Sequence, residues 1–238
     1  MKPKARCSAI IILFFLAACK DAPPKKTIVD TPNETIKDTV VTDSIVAKEE
    51  PEEELFVLNE DNAIDFFFNY SKTLTENKVK LTTSLGSFTI ALFDNVPYHK
   101  ANFVFLTKKG YFNNTYFHRV VKNFIIQGGN ADNKETSRKR REIGRYLLPP
   151  DTRKGHRHHR GTVSMPSSEI NNPHMLASPY EFFIVVTKPG SYHLDGEYTP
   201  FGKVIEGMDV VDKINAQPVD DGDWPSHNIY IHKAEIVN

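Results

Sequence analysis

A dense group of side chains capable of chemistry stands at His156-Arg-His-His159. Imidazoles set so close together can ligate zinc, yet Arg153, Lys154, Arg157 and Arg160 would repel the ion and no nearby acid or Cys completes a shell. Neither a metal nor an organic cofactor is expected. The run that carries these histidines, 134–160, is basic and includes Arg138-Lys-Arg-Arg141, but it offers no interleaved aromatic platform for stacking bases, so nucleic acid is not expected as a partner. It reads as a solvated loop, or as a patch for acidic partners such as the chain's own glutamates at 49–54 or anionic lipid heads. Arg119 is a candidate of another kind. On a strand, alternation puts Phe117 and Val121 on its own face and His118 on the other. A lone arginine there would by default form a surface ion pair.

Positioning such groups takes a folded domain, and the chain has the means to build one. Of 238 residues, 39% are hydrophobic and 25% charged, which excludes a wholly disordered chain. Thirty basic and thirty acidic residues cancel, so no overall field favours nucleic acid or an acidic membrane. From residue 78 on, short alternating runs mark strands at 79–83, 88–93, 117–121, 125–128, 162–165, 182–186, 201–204 and 229–237. Pro97 opens a helix that carries Ala101, Phe103, Val104 and Leu106 to a stop at Gly110, and a second helix spans about 206–215 with Met208, Val211 and Ile214 as its stripe. The expected fold is mainly β, a closed eight-stranded antiparallel barrel capped by two α-helices. An additional amphipathic helix is expected over 59–77, where Ala63, Phe67, Tyr70 and Leu74 recur at spacings of three and four. Its Phe66-Phe67-Phe68 triplet needs a surface, either the domain that follows or a client or second subunit.

The N-terminus reads as a targeting segment. Lys2, Lys4 and Arg6 precede an apolar run at 9–18, about half of the roughly 20 residues that span a bilayer. Leu16-Ala17-Ala18-Cys19 resembles the lipobox of bacterial lipoproteins, which implies lipidation of Cys19 and a lipid-anchored location in the cell envelope. Cys7 and Cys19 are the only cysteines, so no disulfide is expected. The expected division is a signal peptide at 1–18, an acidic disordered linker at 19–54, the amphipathic helix at 55–77 and the barrel domain at 78–238.

Three blocks resemble the cyclophilin-type peptidyl-prolyl isomerases: Tyr116-Phe-His-Arg-Val-Val-Lys-Asn-Phe-Ile-Ile-Gln-Gly-Gly129, Glu181-Phe-Phe-Ile184, and Leu194-Asp-Gly-Glu-Tyr-Thr-Pro-Phe-Gly-Lys-Val-Ile-Glu-Gly-Met-Asp-Val-Val211. They come in the family's order and at compatible spacings. The resemblance implies isomerisation of X–Pro bonds in polypeptides by a monomer without cofactor, here on exported or envelope proteins. It matches Arg119 to the catalytic arginine, Phe124, Ile125, Phe183 and Leu194 to the pocket for the proline ring, Gln127 to a substrate backbone contact, and Met165 to a pocket-lining methionine. Tyr198 stands where the family often has His. Pro166 and Ser167 replace the usual Ala-Asn or Ala-Arg of a backbone clamp. Glu181 replaces a glutamine, and a carboxylate beside Arg119 could pin the guanidinium and weaken catalysis, leaving a peptide-binding module or holdase as the alternative. His193 stands where cyclosporin-sensitive members have Trp, so weak cyclosporin binding is expected.

Overall fold

The structure is a computed structural model that describes residues 56–167 and 171–237. The expected signal peptide, Cys19 and the linker lie outside the described residues. Eight strands, β1 (Lys78–Thr83), β2 (Gly86–Leu92), β3 (Thr115–Val121), β4 (Ile125–Asn130), β5 (Thr162–Ser164), β6 (Phe182–Val185), β7 (Pro200–Glu206) and β8 (Ile229–Val237), close in the order β1-β2-β7-β5-β6-β4-β3-β8. Every neighbouring pair is antiparallel. Alternation drives the closure. In β1, Val79 and Leu81 point inward and are fully buried while Lys78 and Lys80 face outward. Phe88, Ile90, Phe117, Phe182, Ile184 and Phe201 fill the same interior from other strands.

Two helices cap the barrel. α2 (Pro97–Lys108) begins where proline's fixed φ and missing N–H cost least, and its Phe103 packs edge-on to Phe182 of the barrel interior at 5.6 Å. α4 (Met208–Asn215) covers the other mouth with Val210, Val211 and Ile214. The helix expected over 59–77 is shorter: α1 runs Ala63–Ser71. Asn59 holds the chain before it in a turn, its side chain accepting from the N–H groups of Asp61 and Asn62, and Ser71 and Thr73 hydroxyls donate back to the carbonyls of Phe68 and Tyr70 at its end. Its triplet docks on the domain that follows. Phe67 is fully buried, and Phe66 meets Phe105 of α2 at 5.2 Å, while Phe68 stays exposed.

The basic run is not a loop throughout. α3 (Lys134–Ile143) forms within it, capped by Asn133, whose side chain accepts from the Thr136 N–H, and laced by Glu135–Lys139 and Arg138–Glu142 pairs one turn apart. Helix α3 ends at Gly144, where φ is +127° and the chain runs beside Leu58. A Cβ on Gly144 would collide with the Leu58 backbone, which Ile143 and Arg145 hold by hydrogen bonds of 2.8 and 3.0 Å. Gly144→Ala is therefore expected to cost about 2–4 kcal/mol and to release the segment before α1, read out by thermal melting and faster proteolysis near residue 58.

The expected lipid-anchored location at the envelope does not stand. Among the described residues no helix is long and apolar enough to cross a membrane. Their large apolar side chains are spent on the barrel interior and its covering helices instead.

Candidate active site

The site is built on β3 and depends on an irregularity in it. Phe117 pairs with Gly128 and Arg119 with Gln127, so His118 is an extra residue with no partner of its own. This is a β-bulge, and it re-aims the side chains. Simple alternation would have put Phe117 and Arg119 on one face. The bulge instead sends Phe117 and Val120 into the barrel, where both are buried, and leaves His118, Arg119 and Val121 outside. Arg119 is thereby presented to solvent on the outer wall.

Beside it lies an apolar cluster separate from the barrel core: Ile125, Phe183, Val185 and Leu194, with Val121, Phe124 and Tyr198 packed around them. Strand β4 supplies Ile125, β6 supplies Phe183, and the turn at Tyr192–Leu194 brings up Leu194. Tyr198 stands perpendicular to Phe183 at 5.4 Å. Together they floor a groove of about 410 Å³ lined by Arg119, Phe124, Ile125, Gln127, Pro166, Ser167, Phe183, Leu194 and Tyr198. Arg119 is the only charged residue among them.

Three expected site residues sit elsewhere. Met165 is 1% exposed and belongs to the barrel core, where Asn102 of α2 donates to its sulfur at 3.9 Å. His193 is on the rim, its ring stacked on Phe124 at 5.4 Å. Glu181 lies behind Gln127 and does not meet Arg119. Its carboxylate accepts from Gln127 Nε2 at 2.9 Å and Asn130 Nδ2 at 3.2 Å, lies 3.3 Å from His118 Nε2, and has Arg140 of α3 3.9 Å away. Burial alone would raise its pKa, but the His118 contact, Gln127 and Arg140 outweigh this and hold it below the ordinary carboxylate value. Because an ionised carboxylate only accepts, it fixes the Gln127 amide with nitrogen inward, leaving the oxygen for the groove.

Arg119 pairs instead with Asp223, from the connection between α4 and β8, with Nε 3.5 Å from Oδ2 and both side chains partly exposed. Sequence reasoning missed Asp223 because nothing local ties it to β3. It also missed His158, the middle imidazole of the supposed solvated loop. His158 is fully buried, its Nδ1 2.8 Å from Asp195 Oδ1 and its Nε2 3.0 Å from the Ser164 hydroxyl, with its ring stacked parallel to Phe183 at 6.2 Å. It thereby ties together β5, β6 and the turn that follows Leu194. Burial lowers its pKa against the opposing pull of Asp195. The adjacency of Asp195 to Leu194 was the one signal available. Among the described residues, no three metal-binding side chains converge.

A planar guanidinium above an apolar, aromatic floor can act on an amide whose nitrogen carries a ring. Rotation about such a bond faces a barrier of about 18–20 kcal/mol from delocalisation of the nitrogen lone pair. A donor that draws on the lone pair lowers that barrier while the floor holds the ring.

The family model described as cyclophilin type peptidyl-prolyl cis-trans isomerase/CLD matches residues 78–236. The chain is 34% identical over 171 residues to peptidyl-prolyl cis-trans isomerase-like 2 of Rhizopus delemar, covering 71% of this chain but only 30% of that longer protein. It is 38% identical over 160 residues to peptidyl-prolyl cis-trans isomerase-like 3 of Dictyostelium discoideum, covering 66% of this chain and 94% of that one. A crystal structure of a Cryptosporidium parvum cyclophilin type peptidyl-prolyl cis-trans isomerase in the presence of the dipeptide Ala-Pro is similar with a TM-score of 0.57 and 29% identity, covering 68% of this chain and 99% of that one.

Proposed function

The chain belongs to the cyclophilin-type peptidyl-prolyl cis-trans isomerases and is an enzyme of that class, and from this premise we propose that Arg119 is its catalytic residue and the groove beside it the seat of the prolyl ring. The substrates are X–Pro bonds in polypeptides. The observation that carries the assignment is a single cation beside an otherwise uncharged groove with an apolar, aromatic floor. In the reaction, Phe124, Ile125, Phe183, Leu194 and Tyr198 hold the ring, and the Gln127 oxygen accepts a substrate N–H. The Arg119 guanidinium donates toward the prolyl nitrogen as it leaves conjugation. No bond is made or broken. The Arg119–Asp223 pair is no obstacle, since a partly exposed pair is worth about 0–1 kcal/mol and yields readily to a substrate. An Ala-Pro dipeptide accompanied the similar Cryptosporidium parvum enzyme in its crystal, which supports proline peptides as the ligands to try. The test is a tetrapeptide isomerisation assay on the wild type and Arg119→Ala.

A binding module weakened through Glu181, rather than through the altered Pro166-Ser167 segment, would need that carboxylate against the guanidinium, and it is engaged with other groups. Glu181→Gln keeps an amide oxygen that can accept from Gln127 Nε2 and so preserve its orientation, and is accordingly expected to change turnover by less than about threefold. Loss of charge-assisted bonds inside this cluster should cost about 1–3 kcal/mol of stability. A clear gain in turnover in that assay would restore the weakened-enzyme reading.

A further inference from the structure

The prolyl groove is not the only one in the described chain. A cavity of about 870 Å³ opens between residues 57–60, the C-terminal end of α3, and the stretches 145–147 and 178–180. Arg140, Arg141 and Arg145 line it, with Glu60 as the only acid. Arg140 is committed: its Nε donates to the Tyr111 hydroxyl at 2.9 Å and its guanidinium lies 5.1 Å from the Tyr180 ring. Arg141 and Arg145 are exposed and have no acid within ion-pair distance among the described residues. One wall, 57–60, precedes the family match at 78–236, and another is the C-terminal end of the charged helix α3.

The two grooves share a wall. The Ser178 N–H donates to the Pro166 carbonyl at 2.8 Å, with Pro166 lining the prolyl groove and Ser178 the arginine groove. On the other flank, Gln127 of the prolyl groove reaches Glu181, which faces Arg140. The Ser178–Pro166 bond makes the arginine groove the neighbouring surface for a polypeptide that extends beyond the prolyl groove past Pro166. We infer that the preferred substrates are proline-containing polypeptides with acidic residues flanking the proline, read by Arg141 and Arg145. The inference rests on the prolyl-isomerase reading and names its substrate class.

The test uses the full chain and two labelled peptides of identical Ala-Pro core, one flanked by glutamates and the other by glutamines. Binding is followed by fluorescence anisotropy and isomerisation by NMR exchange. The acidic peptide is expected to bind about three- to tenfold more tightly at low salt, with the advantage fading as salt screens the pairs. In Arg141→Glu/Arg145→Glu the advantage should vanish or reverse, while isomerisation of the glutamine peptide stays at the wild-type rate and certifies the fold. Equal binding of the two peptides by the wild type, or an advantage that survives the double variant, overturns the inference. Salt- and arginine-dependent binding without isomerisation of either peptide would leave the inference standing and sink the catalytic assignment instead.

Discussion

Replacing Arg119 by alanine is expected to lower kcat/KM for a proline tetrapeptide roughly 10²- to 10³-fold, the usual consequence of removing one preorganised donor from a transition state. The loss should fall on kcat. In the proposed site the prolyl ring rests on Phe124, Ile125, Phe183, Leu194 and Tyr198, none of which depends on the guanidinium, so peptide affinity should stay within a few fold. Arg119→Lys is expected to recover little. An ammonium keeps the charge but presents a point donor where a planar fork is needed. Stability should barely change, because the only ion pair lost among the described residues is the half-exposed one to Asp223. Coupled-assay kinetics and a thermal melt on the three proteins decide it. An alanine variant with wild-type turnover would falsify the assignment of Arg119, and one with lost binding would move its role from the barrier to the ground state.

The second large effect concerns acid. His99 of α2 is fully buried, neither ring nitrogen has a hydrogen-bond partner among the described residues, and burial pushes its pKa down to about 3. The unfolded chain takes up that proton near pH 6.5, so the contribution to stability is whole above 6.5 and is lost progressively as the pH falls toward 3. Each unit below 6.5 costs about 1.4 kcal/mol, hence about 2 kcal/mol by pH 5. His158, whose pKa burial also lowers, adds in the same direction. Glu181 and Asp195, held below their ordinary values, contribute stability that goes only at lower pH, so the interval from 6.5 to 5 isolates the histidines. His99→Leu, a swap of similar volume, should remove about 2 kcal/mol of the loss between pH 7 and pH 5. It should also raise stability at pH 7 by about 1–2 kcal/mol, since the imidazole's buried polar atoms have no partner to lose. Denaturant titrations at several pH values measure both. An unchanged slope between pH 7 and pH 5 would place the acid sensitivity elsewhere.

The barrel was legible because its strands alternate and are bounded by turns, and β1 keeps to that pattern over its whole length. The apolar floor of the groove was legible only as blocks of sequence. Ile125 and Phe183 look like core residues until the strand order shows their side chains on the outside of the barrel. Met165 illustrates the converse: nothing in its type separates a groove wall from the interior it occupies. The bulge at His118 escaped detection because a one-residue slip leaves composition untouched while reversing which side chains face inward. Helix α3 was hidden by its charge: with no apolar stripe to read, its cap and its paired side chains were the only local signs. His158 and Asp223 act across the fold, on groups far away in sequence, and no local pattern encodes such a meeting.

The closure of the sheet has a consequence for an enzyme whose substrates are polypeptide chains. An open sheet offers rows of unpaired N–H and C=O groups onto which an unfolded client could zip as an added strand. Here β1 bonds to β8 as well as to β2, and the ring of strands comes full circle without a free margin. Clients can be gripped at a proline and let go, with no seam along which helper and client could become one aggregate.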